Sequence, residues 1–242
     1  VNNAGSNTPQ PLDQIKDDDW QSYEKLARAC YLLADGWLFF EKDTKEAEFL
    51  ATFEKGYGAA ERGLAALYPE VEKKLSMGVD LKDAAALVDK QGIGLLYWYS
   101  TNLGKWGNAQ DITVVVRYKE RIFNVMNRVL DLDPGYFYGA PHRYFGAFYS
   151  IAPAAFGGDL DKSWEHFQES IKIEPNYLAT YNLIAEFYAP KKKDGKLFDE
   201  MVTKVREADV ALIPGLEAEA RVEKRKAELL VTRADAGDFP FD

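Results

Sequence analysis

The chain has 242 residues, and its 30 Lys and Arg against 39 Asp and Glu give a formal net charge of −9 at pH 7. No block of the sequence reverses that sign, which excludes the basic surface needed to bind a nucleic-acid backbone. With 47% hydrophobic residues the composition is too apolar for a disordered chain, and its charge-free runs are too short or too interrupted by Gly and Pro to span a bilayer.

The N-terminal segment, residues 1–12, is rich in Gly, Ser, Asn and Pro and predicts a flexible leader. Because the chain begins with Val1 rather than Met, the sequence indicates a processed or trimmed N terminus. Residues 13–242 are predicted to form a single helical domain. The one cysteine, Cys30, lies in an apolar helical run and is interpreted as a small buried hydrophobe.

Two long helices are predicted to open this domain. Apolar residues at three- and four-residue steps predict the first over residues 20–40. The second is predicted over residues 44–68, capped by Asp43 and Thr44 and stopped by Pro69. The two are expected to form an antiparallel hairpin, followed by short helices over 71–76 and 80–90.

An aromatic-rich helix is predicted next, over residues 94–106, with Trp98 and Trp106 on one stripe. A longer helix is predicted from residue 111 to residue 132. It contains the β-branched run 113–118, which on its own is typical of a strand. Helix is predicted because the apolar positions that follow keep helical spacing for more than five turns.

The second half of the chain repeats itself. One spacing of a large, a medium, a small and an aromatic residue occurs over 142–149 and again over 181–188, 39 residues later. The small residues, Gly146 and Ala185, are predicted to be the points at which a partner helix approaches closely. Each unit is a helical hairpin that buries its apolar face by stacking on its neighbours. The sequence therefore predicts an all-α array of antiparallel helical hairpins, an α–α superhelix of about eleven helices that a terminal helix over 216–233 caps.

This spacing resembles the tetratricopeptide repeat, whose period is about 34 residues, stretched here by loops. Three segments in order, residues 96–106, 139–149 and 156–167, resemble more specifically the T component associated with tripartite ATP-independent (TRAP) transporters. The resemblance covers residues 20–235. It falls on Tyr97, Trp98, Gly104, Trp106, Gly139, Pro141, His142, Gly146, Tyr149, Gly157 and Gly158.

The resemblance implies a periplasmic accessory protein that is not an enzyme and needs no cofactor. The implied partner is the extracytoplasmic solute-binding protein of a TRAP transporter, and the implied ligand is a small organic acid or hydrophobic compound. It also implies a homotrimer, and a precursor held at the membrane by an N-terminal lipid anchor that this chain lacks. No nucleic-acid partner is expected.

The residues expected to contact a ligand or partner are Tyr97, Trp98, Asn102, Lys105, Trp106, His142 and Tyr149. The aromatic helix has two interpretations, the lining of an apolar ligand cavity in which Asn102 and Lys105 orient a carboxylate, or core packing. His142 is interpreted either as a structural histidine in the first turn of a helix or as pocket lining. The loop over 156–159 is either a partner-binding loop or a turn capped by its Asp.

The sequence gives little support to an enzyme or a metal site. His142 and His166 are the only histidines, and they do not have the spacing of zinc ligands or a Cys–His pair. The motifs of serine hydrolases, zinc proteases and P-loop proteins are missing from the sequence. A helical hydrolase or lyase that uses Tyr and Arg is the third hypothesis.

The main alternative is a tetratricopeptide adaptor that binds a peptide and has no transporter. Such an adaptor needs Lys, Arg and Asn on successive concave helix faces to hold a peptide carboxylate. The sequence offers only Asn102, Lys105, Arg143 and Asn182 for that purpose. The basic run over 191–193 is interpreted as a solvated loop.

Overall fold

The computed structural model describes residues 19–241, apart from the side chain of Ile112, and in this range the chain forms eleven helices and no strand. The all-α prediction is confirmed. The predicted leader, residues 1–12, lies outside the described residues. By its internal contacts the chain divides into two compact units, Val1–Leu132 and Asp133–Asp242, and the single domain over 13–242 stays a prediction.

From residue 19 onward, the first unit contains six helices joined by short connections and 3-10 turns. They are α1 (Trp20–Gly36), α2 (Glu46–Leu67), α3 (Pro69–Ser76), α4 (Leu81–Ala84), α5 (Ile93–Asn108) and α6 (Ile112–Leu132). Helix α1 packs against α2, and α5 packs against α1, α2 and α6. The helical prediction for the β-branched run at the start of α6 is confirmed, and Asp111 accepts the backbone N–H groups of Thr113 and Val114 there.

Two predictions at helix ends are wrong. Neither Asp43 nor Thr44 caps α2, because the N-cap residue is Lys45, which makes no side-chain capping hydrogen bond. The Thr44 hydroxyl donates to the Glu41 carbonyl instead. The helix predicted over 80–90 is broken after α4 into two 3-10 turns. The break occurs where the Asp89 side chain accepts the backbone N–H of Gln91, a local bond that competes with the helical one.

One close approach of helices in the first unit is at Gly56 on α2. A Cβ atom added there would lie 2.5 Å from the amide carbon of Asn102 on α5. Asn102 in turn donates to the carbonyl oxygen of Ala27 on α1 at 3.1 Å and to that of Trp98 at 2.7 Å. Three helices therefore meet at one buried amide, which fixes the position of α5.

The second unit contains five helices. They are α7 (Tyr136–Ile151), α8 (Leu160–Ile173), α9 (residues 178–192), α10 (Gly195–Glu207) and α11 (Glu217–Asp235). Helix α9 is continuous but consists of Leu178–Leu183, a π-helical turn over Ile184–Tyr188, and Ala189–Lys192. The C-terminal helix predicted over 216–233 is confirmed as α11.

The close helix approach predicted at Gly146 is confirmed, whereas at Ala185 the local helix geometry differs from that at Gly146. A Cβ at Gly146 would lie 2.7 Å from the ring of Phe167 on α8, so the glycine allows α7 and α8 to touch. The hydroxyl of Ser163 donates to the Gly146 carbonyl at the same point, over 2.7 Å. Ala185 is fully buried as expected, but it lies in the π-helical turn. Equal spacing in the sequence therefore does not give equal helix geometry in the two segments.

The loop before α8 has the capping role that was one of its two interpretations. Asp159 accepts the backbone N–H groups of Asp161 and Lys162 and is the N-cap of α8. Gly157 has φ +93°, which a residue with a side chain rarely adopts. The turn leaves Phe156 65% exposed, and its role in binding a partner stays a prediction.

Candidate functional site

The five site residues predicted on the aromatic helix all lie on α5, in the first unit. Tyr97 and Trp98 are buried, and Trp98 packs against the ring of Tyr31 at a centroid distance of 5.6 Å. Asn102 is fully buried and crosslinks α1 to α5 as described above. Trp106 makes edge-to-face contacts with Tyr57 and Tyr118. Tyr97, Trp98 and Asn102 are thus core residues, and Trp106 packs partly buried against the core. Contact of these side chains with a ligand stays a prediction.

Lys105 has a partner inside the protein. Its ammonium lies 2.6 Å from a carboxylate oxygen of Asp35, whose side chain is only 8% exposed. A buried carboxylate is costly unless a cation compensates it. Neutralising Asp35 is therefore the structural role of Lys105, whether or not the half-exposed ammonium also meets a ligand.

A cavity of about 220 Å³ opens in the first unit, beside the aromatic helix. Four helical segments contribute its polar lining, Glu61 from α2, Asp80 from the N-cap of α4, Tyr99 from α5 and Arg121 from α6. Sequence reasoning missed this site. Its polar residues are separated by up to 60 positions (61 to 121) and form no motif, so only the packing of α2, α4, α5 and α6 brings them together.

Arg121 organises the cavity. Its Nε donates to both carboxylate oxygens of Asp80 at 2.8 and 2.9 Å, and its Nη2 donates to Asp80 Oδ2 at 2.5 Å. Its Nη1 donates to the hydroxyl oxygen of Tyr99 at 3.3 Å. Burial opposes ionisation of Asp80, but hydrogen bonds from Arg121 and from the Lys82 backbone outweigh it and lower the pKa of this carboxyl. Burial raises the pKa of Tyr99 to about 12, so its phenol keeps its proton and can donate it.

In the second unit the predicted residues His142 and Tyr149 meet His166, which sequence reasoning had not selected. The Nδ1 atoms of His142 and His166 are 3.0 Å apart, so one of the two must donate and the other accept. The His166 ring also stacks on Tyr149 and tilts against Phe145, at centroid distances of 5.7 and 5.2 Å. The packing of α8 on α7 at Gly146 brings the two histidines together across 24 residues of sequence.

The histidine pair is held neutral. Burial lowers the pKa of His142, and burial together with the charge that His142 would carry lowers the pKa of His166 to about 4. The negative charge of Glu169 raises the pKa of His142, but by less than burial lowers it. In the part of the chain that the structure describes, no three His, Cys, Asp or Glu side chains are grouped so as to hold a metal ion.

This pair predicts a dependence of stability on pH. Because the pKa of His166 is about 4 in the folded protein and about 6.5 in the unfolded chain, the unfolded state binds an additional proton between these values. The stability that the neutral His166 contributes is fully present above about pH 6.5, and it is lost as the pH falls to about 4. After allowance for solvent screening, we expect a loss of about 1 to 2 kcal/mol over this range.

The measurement is urea unfolding of the protein and of His166→Phe at pH 7 and pH 5. Phenylalanine keeps the aromatic contacts with Tyr149 and Phe145 but cannot titrate. Titration of the carboxylates changes the stability of both proteins equally between pH 7 and pH 5. Its effect therefore cancels when the two losses of stability are compared. A loss of stability from pH 7 to pH 5 that is as large in His166→Phe as in the parent protein would contradict the assignment.

The residues that a peptide adaptor would need are engaged within the protein. Arg143 donates to backbone carbonyls of Phe137 and Tyr138, and the Asn182 amide donates to the backbone and the carboxylate of Glu223, both at 2.8 Å. Asn102 and Lys105 are engaged in the first unit, as described above. This arrangement does not favour the capture of a peptide carboxylate by these four side chains.

A comparison with known families decides the class of the protein. The family of TRAP transporter T-components matches residues 39–236, which include all or part of every helix from α2 to α11. The chain belongs to this family. The resemblance inferred from the three sequence segments is thereby confirmed. A search of curated proteins finds no match.

T-components are extracytoplasmic accessory parts of TRAP transport systems, and this T-component has that accessory role. Among its described helices, none combines the length and the apolar character that crossing a membrane requires. The family match extends over both compact units. Both the cavity of the first unit and the histidine pair of the second therefore lie within the matched range.

Proposed function

We propose that this T-component binds the solute-binding protein of a TRAP transporter in the periplasm and handles a small ligand during transfer to or from that partner. The observation that carries the proposal is the family match over residues 39–236. The cavity of about 220 Å³ in the first unit, with its convergent polar side chains, supports the ligand-handling part. The role is one of binding, with no chemical step.

The loop before α8 is the proposed contact with the solute-binding protein. Phe156 is a large aromatic side chain that is 65% exposed, on a turn that Gly157 and the Asp159 cap hold in place. Aromatic anchors contribute most of the affinity in many interfaces. Since transfer between two proteins requires reversible contact, the interface is expected to be small and to weaken with added salt.

The test is calorimetric titration of the T-component with the TRAP solute-binding protein of the same organism. Phe156→Ser is expected to weaken binding about tenfold, which corresponds to about 1.4 kcal/mol. Met77→Ser is the matched control, because Met77 is 73% exposed but lies in the first unit. A concentration of 100 micromolar is on the order of the Kd of the weakest transient complexes. If the parent protein did not bind at that concentration, docking would be refuted. Equal weakening in the two variants would refute the role of the loop.

Assembly as a homotrimer and an N-terminal lipid anchor on the precursor belong to the same proposal. Leu33 on α1 and Trp37, which follows its last residue, are apolar side chains that are 48% and 54% exposed. Native mass spectrometry of the protein measures the oligomer directly. A monomer at micromolar concentration would refute the trimer and leave the docking proposal to its own test.

A further inference from the structure

The charges that line the cavity of the first unit set one requirement for a ligand. Its lining carries two carboxylates, Glu61 and Asp80, and one cation, Arg121. Arg121 already neutralises Asp80 through three hydrogen bonds. Lys82, next to the cavity, is engaged in an ion pair with Glu120 at 2.9 Å. Within residues 19–241, the half-buried carboxylate of Glu61 has no hydrogen-bond or ion-pair partner, and a cation would provide one.

The hydrogen-bond donors in the cavity point to a second requirement. Tyr99 accepts a hydrogen bond from Arg121, so its own O–H is left to donate. The carboxylates of Glu61 and Asp80 are near enough to raise its pKa, but within the described residues this O–H donates no hydrogen bond. Arg121 uses one N–H of Nη1 for Tyr99 and one of Nη2 for Asp80, and the fork has further donors. A ligand that fits these groups must carry acceptor oxygens as well as a positive charge.

The volume limits the size of that ligand. Since a water molecule occupies about 30 Å³ of liquid, a cavity of about 220 Å³ has room for about seven waters. A compound of comparable size has the bulk of a small sugar or amino alcohol. Leu75 and Val79 provide an apolar wall against which its carbon skeleton can lie.

We infer that this cavity binds a small amino alcohol or amino sugar, with its ammonium on Glu61 and a hydroxyl oxygen on Tyr99 and Arg121. A free carboxylic acid does not fit, because it would meet two carboxylates and an arginine that is already paired. The inference rests on the ligand-handling part of the proposed function. Docking to the solute-binding protein is measured separately, so failure of either leaves the other standing.

The experiment is calorimetric titration of the full chain with glucosamine, glucose and lactate as probes. Glucosamine carries an ammonium and hydroxyls, glucose carries hydroxyls alone, and lactate is a hydroxy acid. We expect glucosamine to bind at least about tenfold more tightly than glucose, which is the effect of one charge-assisted hydrogen bond in a partly buried site. Lactate is expected not to bind in this cavity.

Two variants assign the binding to the cavity. Glu61→Gln is expected to reduce glucosamine affinity about tenfold, and Tyr99→Phe to reduce it by a smaller factor while keeping the ring. Glu54→Gln, an exposed carboxylate on the same helix, is the matched control and should bind like the parent protein. Equal affinity for glucosamine and glucose, unchanged affinity in Glu61→Gln, or no binding at millimolar glucosamine would each overturn the inference.

Discussion

Gly56→Ala is expected to lower the free energy of unfolding of the first unit by about 3 kcal/mol. The added Cβ would lie 2.5 Å from the amide carbon of Asn102, far inside contact distance. Asn102 cannot swing away without breaking its hydrogen bonds to the carbonyl oxygens of Ala27 and Trp98. Overpacking of a tight core costs about 1 to 3 kcal/mol, and a carbonyl left buried without its donor adds to that cost.

The same helix offers a matched control. Gly58 is two residues further along α2, and a Cβ there meets nothing within 4 Å. Gly58→Ala should therefore stabilise the unit by about 0.5 to 1 kcal/mol, because alanine has the higher helix propensity. Urea unfolding followed by Trp fluorescence reports on the first unit, which contains Trp20, Trp37, Trp98 and Trp106, four of the five tryptophans. Similar stabilities of Gly56→Ala and Gly58→Ala would show that the amide junction does not limit helix approach.

The helices could be predicted from the sequence because burial imposes a period. In α6 the β-branched run favours a strand locally, yet the apolar positions after it recur at helical spacing, and the structure forms one helix from Ile112 to Leu132. Packing of a long apolar stripe outweighs propensities of a few tenths of a kcal/mol per residue. The close approach at Gly146 was predictable for the same reason, since a small residue on an apolar stripe has few other uses.

The roles of the polar residues could not be predicted in the same way. Asn102 carries an amide that fits a ligand carboxylate or a backbone carbonyl equally well, and only the position of Ala27 on α1 shows which one it meets. Lys105 has the same ambiguity, and its partner Asp35 is 70 residues away in the sequence. The cavity at Arg121 combines residues from four helical segments, so no spacing in the sequence predicts it.

The start of α7 was predicted in part. The position of His142 just after Pro141 indicated a first helical turn, and right-handed helix does begin after Gly139. Three consecutive residues inside the range of α7 but before its right-handed part, Phe137, Tyr138 and Gly139, have φ of 43°, 60° and 75°. Glycine tolerates that conformation, but it costs about 1 to 2 kcal/mol for each of the two aromatic residues. No pattern in the sequence indicates this left-handed turn, because two of its three residues disfavour it.

Arg143 holds the left-handed turn in place. Its side chain is buried, and its guanidinium donates to the carbonyl oxygen of Phe137 at 2.8 Å and also to that of Tyr138. The same group lies over the ring of Tyr177 at 3.9 Å, and Tyr177 stacks on Tyr138 at a centroid distance of 5.4 Å. One side chain thus satisfies two carbonyls and connects the turn to the residue before α9.

Arg143→Met is therefore expected to destabilise the second unit by about 3 to 5 kcal/mol. The substitution fills a similar volume but leaves two carbonyls without donors and a strained turn without support. Arg143→Lys should recover only part of the loss, because a single ammonium cannot reproduce the planar fork. Arg206→Met is the matched control, since Arg206 is half-exposed and pairs with Glu228 on the surface of the same unit. It should change stability by about 0.5 kcal/mol or less.

Urea unfolding followed by near-ultraviolet circular dichroism is the suitable measurement, because the turn and its support contain Phe137, Tyr138 and Tyr177. A separate transition of the second unit can also be followed through Trp164, which stacks on Tyr188 at 5.0 Å. If Arg143→Met unfolded at the same urea concentration as Arg206→Met, the turn would be stable without its guanidinium. The positive φ values at Phe137 and Tyr138 would then have to be held by the aromatic stack on Tyr177 alone.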